Sequence, residues 1–193
     1  MSIPVAFWLL PGEQVMDRLT RIIDELAERY GAPRFVPHVS LHVDRVVREA
    51  DLSSLLDETA TRFAPFEMRA GPTQHSPMLF KTLFVTLSGS EINDLAAALA
   101  VGVAAWRPLT DGIRKTVAYR LDPHLSLLYK ELSEAERATL CDRHRHDGEL
   151  LYFDRIAMVT PVPGARDLSR VDDWLVSPPR GLVGPNPLAA KGS

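Results

Sequence analysis

The 193-residue sequence predicts an α+β fold in which helices are segregated from antiparallel-rich sheets. Three observations predict it. Apolar residues switch repeatedly between a period of two and a period of about 3.6. The resulting order is strand–helix–strand–helix–strand–strand, then helix–strand–helix–strand–strand, which is not the alternation of a doubly wound parallel sheet. One five-residue phrase also occurs twice, as Pro37-His38-Val39-Ser40-Leu41 and as Pro123-His124-Leu125-Ser126-Leu127, once in each half. Four fixed letters recur by chance in a chain this short with odds of roughly one in several hundred.

The elements follow in order. The apolar run through Ile3 to Leu10 breaks at Pro11-Gly12, is too short to span a membrane and lacks a basic leader, so it reads as a buried first strand. Val15, Leu19, Ile22, Ile23 and Leu26 then recur at helical spacing until Gly31 and Pro33 stop the run. His38 to Val47 alternates with period two. A second helix runs from an Asp51 cap to about Phe63, followed by strands near Phe66–Gly71 and Thr82–Leu87. Ser88 and Glu91 stand at capping-box spacing before a third helix with Ile92, Leu95, Leu99 and Val103 on its apolar face. Arg107 to Leu121, which carries Arg114, Lys115 and Arg120, is weakly periodic and reads as partly loop. The second motif strand spans His124 to Lys130, Ser133 and Glu136 cap a fourth helix, and Leu151–Thr160 and Asp173–Ser177 are the last strands. Pro, Gly and small residues dominate from Pro178, which predicts a disordered tail over 178–193 after one bilobal domain over 1–177.

Composition narrows the function classes. A net charge of −3 gives no electrostatic reason to expect a long nucleic-acid footprint, and 7% aromatic residues argue against an extensive stacking platform. The lone Cys141 excludes an intrachain disulfide, fits a reducing, cytoplasmic setting, and reads as a packed or half-exposed thiol. Six histidines and one cysteine show no compact zinc spacing.

A histidine and a hydroxyl two residues apart on a strand share one face. Two such strands facing each other put two imidazoles and two hydroxyls around one cleft. One neutral imidazole can take a proton from water while the other, charged, donates one to a leaving oxygen. The hydroxyls can donate to phosphoryl oxygens, and no Gly-x-Ser-x-Gly elbow exposes either serine as a nucleophile. This scheme needs no metal and no cofactor.

The paired His-x-Ser phrases resemble the motifs of the 2H phosphoesterase superfamily, with greatest similarity to its cyclic phosphodiesterase branch. The resemblance covers about residues 3–177 by element order, although only the two motifs are specific. It implies a two-lobed fold, each lobe an antiparallel-rich sheet with outer helices, around a central cleft lined by the motif strands. It implies His38 and His124 as the acid–base pair and Ser40 and Ser126 as phosphate donors. Trp8 stands where the branch has an aromatic beside the nucleotide, and Tyr129 matches its Ser-Leu-x-Tyr continuation. The implied reaction opens a small cyclic nucleotide, a nucleoside 2′,3′-cyclic phosphate or ADP-ribose 1″,2″-cyclic phosphate, leaving phosphate on the 2′-type oxygen (1″-type for ADP-ribose). RNA ends, 2′–5′ linkages among them, are the alternative substrates, and a non-catalytic binding module is a further class. A monomer without membrane attachment is expected.

Several positions carry competing readings. Trp8 could be core. Tyr129 has the wrong strand parity for the cleft unless the strand twists or ends there. His42 shares the nominal face of His38 and Ser40, yet residues four apart on a strand lie about 13 Å apart, too far for one metal ion. It reads as a rim or solvated residue. His144 and His146 read as a solvated helix end, and Lys81 as a strand-edge lysine that could otherwise charge-pair with a phosphate.

Overall fold

The computed structural model describes residues 2–47, 52–110, 113–114 and 119–185. β1 (Ser2–Pro11) is buried on both faces: Val5, Phe7 and Leu9 enter the main core, while Ala6, Trp8 and Leu10 enter a smaller apolar cluster on the other side. Double burial explains a continuous apolar run in place of an alternation. α1 (Glu13–Tyr30) buries Leu19, Ile23 and Leu26 and ends at Gly31, whose left-handed φ of 59° lets its amide donate to the Ala27 carbonyl. β2 (Val39–Val47), α2 (Ser53–Arg62) and β3 (Phe66–His75) complete a first β-α-β-α-β unit. The second unit is β4 (Leu83–Ser88), α3 (Glu91–Ala104), the short hairpin β5 (Leu109–Thr110) and β6 (Ile113–Arg114), β7 (His124–Leu128), α4 (Glu134–Arg143) and β8 (Leu150–Pro161). β9 (Trp174–Val176) and β10 (Arg180–Gly181) both pair with β8.

The main sheet runs β2-β1-β8-β3-β4-β7, with every pairing antiparallel. The two units are interleaved in it. The last strand of the second unit, β8, lies beside β1, and the last strand of the first, β3, lies beside β4. β8 is the joint, since Leu150–Phe153 pair with β3 while Phe153–Val159 pair with β1. The helices are exchanged as well: α1 packs against β7 and α3 against β2. Apolar residues from all four helices therefore reach one core, including Leu26, Leu56, Leu99 and Leu140. The two motif strands stand at opposite ends of the strand order and still touch, so the sheet curls around a cleft between them.

Both motif strands bulge at the same letter. In β2, Ser40 pairs with Trp8 and His42 with Phe7, which leaves Leu41 as the extra residue. In β7, Ser126 pairs with Phe84 and Leu128 with Leu83, which leaves Leu127. An extra residue reverses the alternation beyond it. The structural repeat thus extends past the shared letters to a shared irregularity.

Three expectations differ from the structure. Ser88 ends β4 and donates to the Arg69 carbonyl, so the α3 cap is Ser90, without a side-chain cap bond. The Asp51 cap lies outside the described residues, and the α2 cap is Leu52. The Ser133–Glu136 capping box, by contrast, is fully formed. The third difference is the tail, which does not leave the fold at Pro178. Arg180–Gly181 pair with β8, Leu182 is 3% exposed, and the Val183 and Gly184 amides donate to the carbonyls of Ala60 and Phe63. A Cβ at Gly184 would lie 2.4 Å from the Arg62–Phe63 backbone, so this strap needs glycine there. A composition of Pro and Gly reads as disorder only when no surface receives it; here the end of α2 does. Residues 186–193 lie outside the described part. Among the described residues no helix is long and apolar enough to cross a membrane.

Leu182→Ala should lower stability by about 2–4 kcal/mol, because it empties a filled core position under α2. Urea unfolding should show a lower midpoint; an unchanged midpoint would mean the strap contributes nothing.

Candidate active site

The cleft between the motif strands has a volume of about 330 Å³ and is lined by all six residues expected at the site: Trp8, His38, Ser40, His124, Ser126 and Tyr129. Its wall is mostly apolar, with Ala6, Val43 and Val159 from the sheet and Trp174 from β9. Such a site strengthens each polar contact made inside it.

The histidines are held alike. His38 Nδ1 is 2.6 Å from the Val36 carbonyl oxygen, and His124 Nδ1 is 2.6 Å from that of Asp122. In each case the acceptor lies two residues back, across the proline of the motif. Proline fixes its own φ and holds the preceding residue extended, so the carbonyl is set toward the imidazole. Nδ1–H donates to that carbonyl, which leaves Nε2 as the acceptor nitrogen of the neutral ring.

Their environments differ. His38 is 7% exposed and stacks on Trp8, with ring centroids 3.6 Å apart and planes 10° from parallel. Burial pushes its pKa down to about 4; the Val36 carbonyl opposes this and the charge of His124 adds to it. His124 is half-buried, with the Phe84 ring edge-on at 5.5 Å. Its pKa is also lowered, by burial first; the Asp122 carbonyl raises it and the Lys81 charge lowers it. Each imidazole therefore rests against an aromatic from the neighbouring strand, and in each case that aromatic pairs with the motif serine.

The hydroxyls also differ. Ser40 lines the cleft, and its carbonyl accepts from Tyr119 Oη at 3.0 Å. Ser126 Oγ donates to the Phe80 carbonyl at 2.8 Å. Tyr129 follows the end of β7, and the Leu127 bulge returns it to the cleft, which resolves the parity conflict. It stacks on Phe35 at 3.8 Å and is 4% exposed; burial raises its phenol pKa, outweighing the Ser126 side-chain hydrogen bond. Val43 is its counterpart after the Leu41 bulge. Trp8 is both core and cleft wall.

His42 is neither rim nor solvated. The Leu41 bulge turns it away from the cleft, where Nε2 lies 3.1 Å from Asp44 Oδ2 and the ring is 5% exposed. Arg107 Nε and a terminal guanidinium nitrogen each reach the same oxygen at 2.8 Å, and the Arg45 amide donates to Oδ1. Burial raises the Asp44 pKa, but the bonds from Arg107, the Arg45 amide and His42 outweigh it and hold the carboxyl low. His146 is likewise buried, with Nδ1 3.2 Å from Glu149 Oε1, while His144 is more open. Cys141 is half-buried, and burial raises its thiol pKa. Among the described residues no group of three or more His, Cys, Asp or Glu side chains could hold a metal ion.

Sequence reasoning missed Trp174, Tyr119 and Phe80. Trp174 meets Trp8 edge-on at 5.2 Å and holds its indole N–H on the Leu168 carbonyl. It lies in the expected strand Asp173–Ser177, observed as Trp174–Val176, which is too short for its alternation to show which side faces the cleft. Tyr119 and Phe80 lie in segments without periodicity, where spacing says nothing about facing.

Residues 11–160 match the 2′-5′ RNA ligase superfamily, a span that includes both motif strands. A cyclic phosphodiesterase of Arabidopsis thaliana is 23% identical over 131 residues, 67% of this chain and 67% of that one. TT0787 of Thermus thermophilus superposes with a TM-score of 0.60 at 16% identity, covering 95% of this chain and 100% of that one. E. coli LigT complexed with 3′-AMP superposes with a TM-score of 0.55 at 12% identity, covering 94% and 99%. At these identities the structural likeness concerns the fold.

Between pH 6.5 and about 4 the unfolded chain binds a proton at this histidine that folded His38 does not. Stability should therefore fall as pH drops through that window, by about 3 kcal/mol from this residue. His38→Asn should flatten that slope in urea midpoints measured from pH 7 to pH 4; an unchanged slope would place the buried proton elsewhere.

Proposed function

The chain belongs to the 2′-5′ RNA ligase superfamily, and from that we propose that it is a phosphodiesterase that hydrolyses a small cyclic phosphodiester to a monoester. The observation that carries the reading is the matched pair of imidazoles, each with Nδ1 tied to a carbonyl and Nε2 left for the cleft. His38, the more deeply buried and neutral near pH 7, takes the proton of a water molecule. The water oxygen bonds to phosphorus as the bond from phosphorus to one ribose oxygen breaks. His124 gives that oxygen its proton, and solvent later restores both imidazoles. Ser40 donates to a non-bridging oxygen, Ser126 lines the same wall with its hydroxyl held on the Phe80 carbonyl, and Trp8 and Tyr129 flank the nucleoside. All these groups come from one chain, and a cleft near 330 Å³ suits a mononucleotide.

The substrate favoured is a nucleoside 2′,3′-cyclic phosphate or ADP-ribose 1″,2″-cyclic phosphate. A second reading, an RNA end, is favoured by one observation. A groove of about 680 Å³ shares Phe80 and Tyr129 with the cleft and continues past them between Lys130 and Arg170, with Glu131 and Asp172 balancing their charge. A longer chain would gain contacts there.

His38→Ala and His124→Ala should each lower turnover by about two to four orders of magnitude, with both cyclic nucleotides and a cyclic-phosphate-ended RNA as substrates and phosphorus NMR as readout. With bis(p-nitrophenyl) phosphate, whose leaving group needs no proton, His124→Ala should keep most activity and His38→Ala should not. The reverse pattern would exchange the two roles.

The pH profile of kcat/KM should be a bell centred on the acid side of pH 6.5. It should rise through about 4 as His38 loses its proton and fall as His124, lowered from the usual 6.5, loses its own. A plateau extending above pH 8 would exclude a protonated histidine acid.

A further inference from the structure

Lys81 is the only Lys, Arg, Asp or Glu side chain among the described residues that line the cleft. It follows Phe80, the residue whose carbonyl accepts the Ser126 hydroxyl hydrogen bond, in a single 3₁₀ turn (Leu79–Lys81). That turn is fixed at both ends. The Lys81 amide donates to the Met78 carbonyl at 2.9 Å, and the Ser76 hydroxyl donates to the Lys81 carbonyl at 2.8 Å. Its ammonium lies 2.6 Å from Asp122 Oδ2 and 4.4 Å from the Phe84 ring centroid, beside the ring that abuts His124.

A hydroxyl has one proton to give, and that of Ser126 already goes to a carbonyl. In the second half of the site the donor to an anionic ligand then comes from elsewhere. The Lys81 side chain is only 20% exposed whereas that of Asp122 is 64% exposed, and Asp122 does not line the cleft. Exchanging partners therefore leaves the covered cation paired throughout and releases the carboxylate to water, where it is easily solvated. Such an exchange avoids the cost of burying a lone charge.

We propose that Lys81 is the phosphate-binding cation of this cleft, held by Asp122 when the cleft is empty and handed to the phosphoryl oxygens when it is filled. The inference rests on reading the cleft as a phosphodiester site, and its test separates the two. If the Lys81–Asp122 pair were only a structural tie, breaking it from either side would act alike. If Asp122 competes with the ligand, the two sides act oppositely.

The experiment is calorimetric titration of inorganic phosphate at pH 8, where both imidazoles are uncharged, with urea midpoints as a folding control. Lys81→Met should weaken binding by about tenfold or more, Lys81→Arg should stay within about threefold, and Asp122→Asn should bind as tightly as the parent or a few-fold tighter. Equal weakening by Lys81→Met and Asp122→Asn would overturn the role of Lys81 and leave the site reading intact. The same holds if Lys81→Met, or Lys81→Gln should the first variant not fold, binds like the parent. If the unsubstituted protein binds no phosphate and turns over no cyclic nucleotide, the site reading fails and this inference fails with it.

Discussion

Everything at the site depends on β8 pairing with two partners at once. Its first residues extend the half-sheet of β3, β4 and β7, and the rest extends the half-sheet of β1 and β2. Neither β-α-β-α-β unit could therefore set its motif strand against the other's without lending its third strand. The exchange of α1 and α3 beneath the opposite motif strands fixes the same relationship from the core side. Two histidines 86 residues apart in sequence thus meet through backbone hydrogen bonds, not through a loop contact that could shift.

On that frame the chemistry is set by short-range rules applied twice. The proline of each motif aims a carbonyl at Nδ1, and the bulge at each leucine ends the alternation after the serine. The bulge has opposite uses in the two halves. In β7 it brings Tyr129 to the cleft, where parity alone would have turned it to the opposite face. In β2 it removes His42 to a buried ion cluster with Asp44 and Arg107 and puts Val43 in its place. Desolvation then separates two otherwise equivalent imidazoles, because His38 lies under Trp8 and Trp174 while His124 stays half-open beside Lys81 and Asp122. A pair with unequal proton affinities is what an acid–base mechanism requires.

The asymmetry extends to the hydroxyls. The Ser126 proton is committed to Phe80, and the adjacent Lys81 lies within reach of the same space. The polar capacity of the second half thus resides in a turn between strands, outside the repeated phrase.

Strand and helix order, the α+β class and the four motif side chains were legible in the sequence because each rests on local periodicity or on a repeated phrase. The caps show the limit of that locality: the Ser133 box formed as spaced, whereas Ser88 was claimed by the β3–β4 ladder and Ser90 took its place. Tyr119, Phe80 and the packed strap at Leu182 were not legible, since no periodic signal records which surface a loop meets, and the strand holding Trp174 is too short to show its facing. The repeat of Pro-His-x-Ser-Leu by itself pointed to two imidazoles and two hydroxyls around one cleft, and all four line it. Only the tertiary structure decided which histidine is desolvated, which hydroxyl is already bonded and which cation stands beside them, because those properties come from neighbours that the chain supplies from far away.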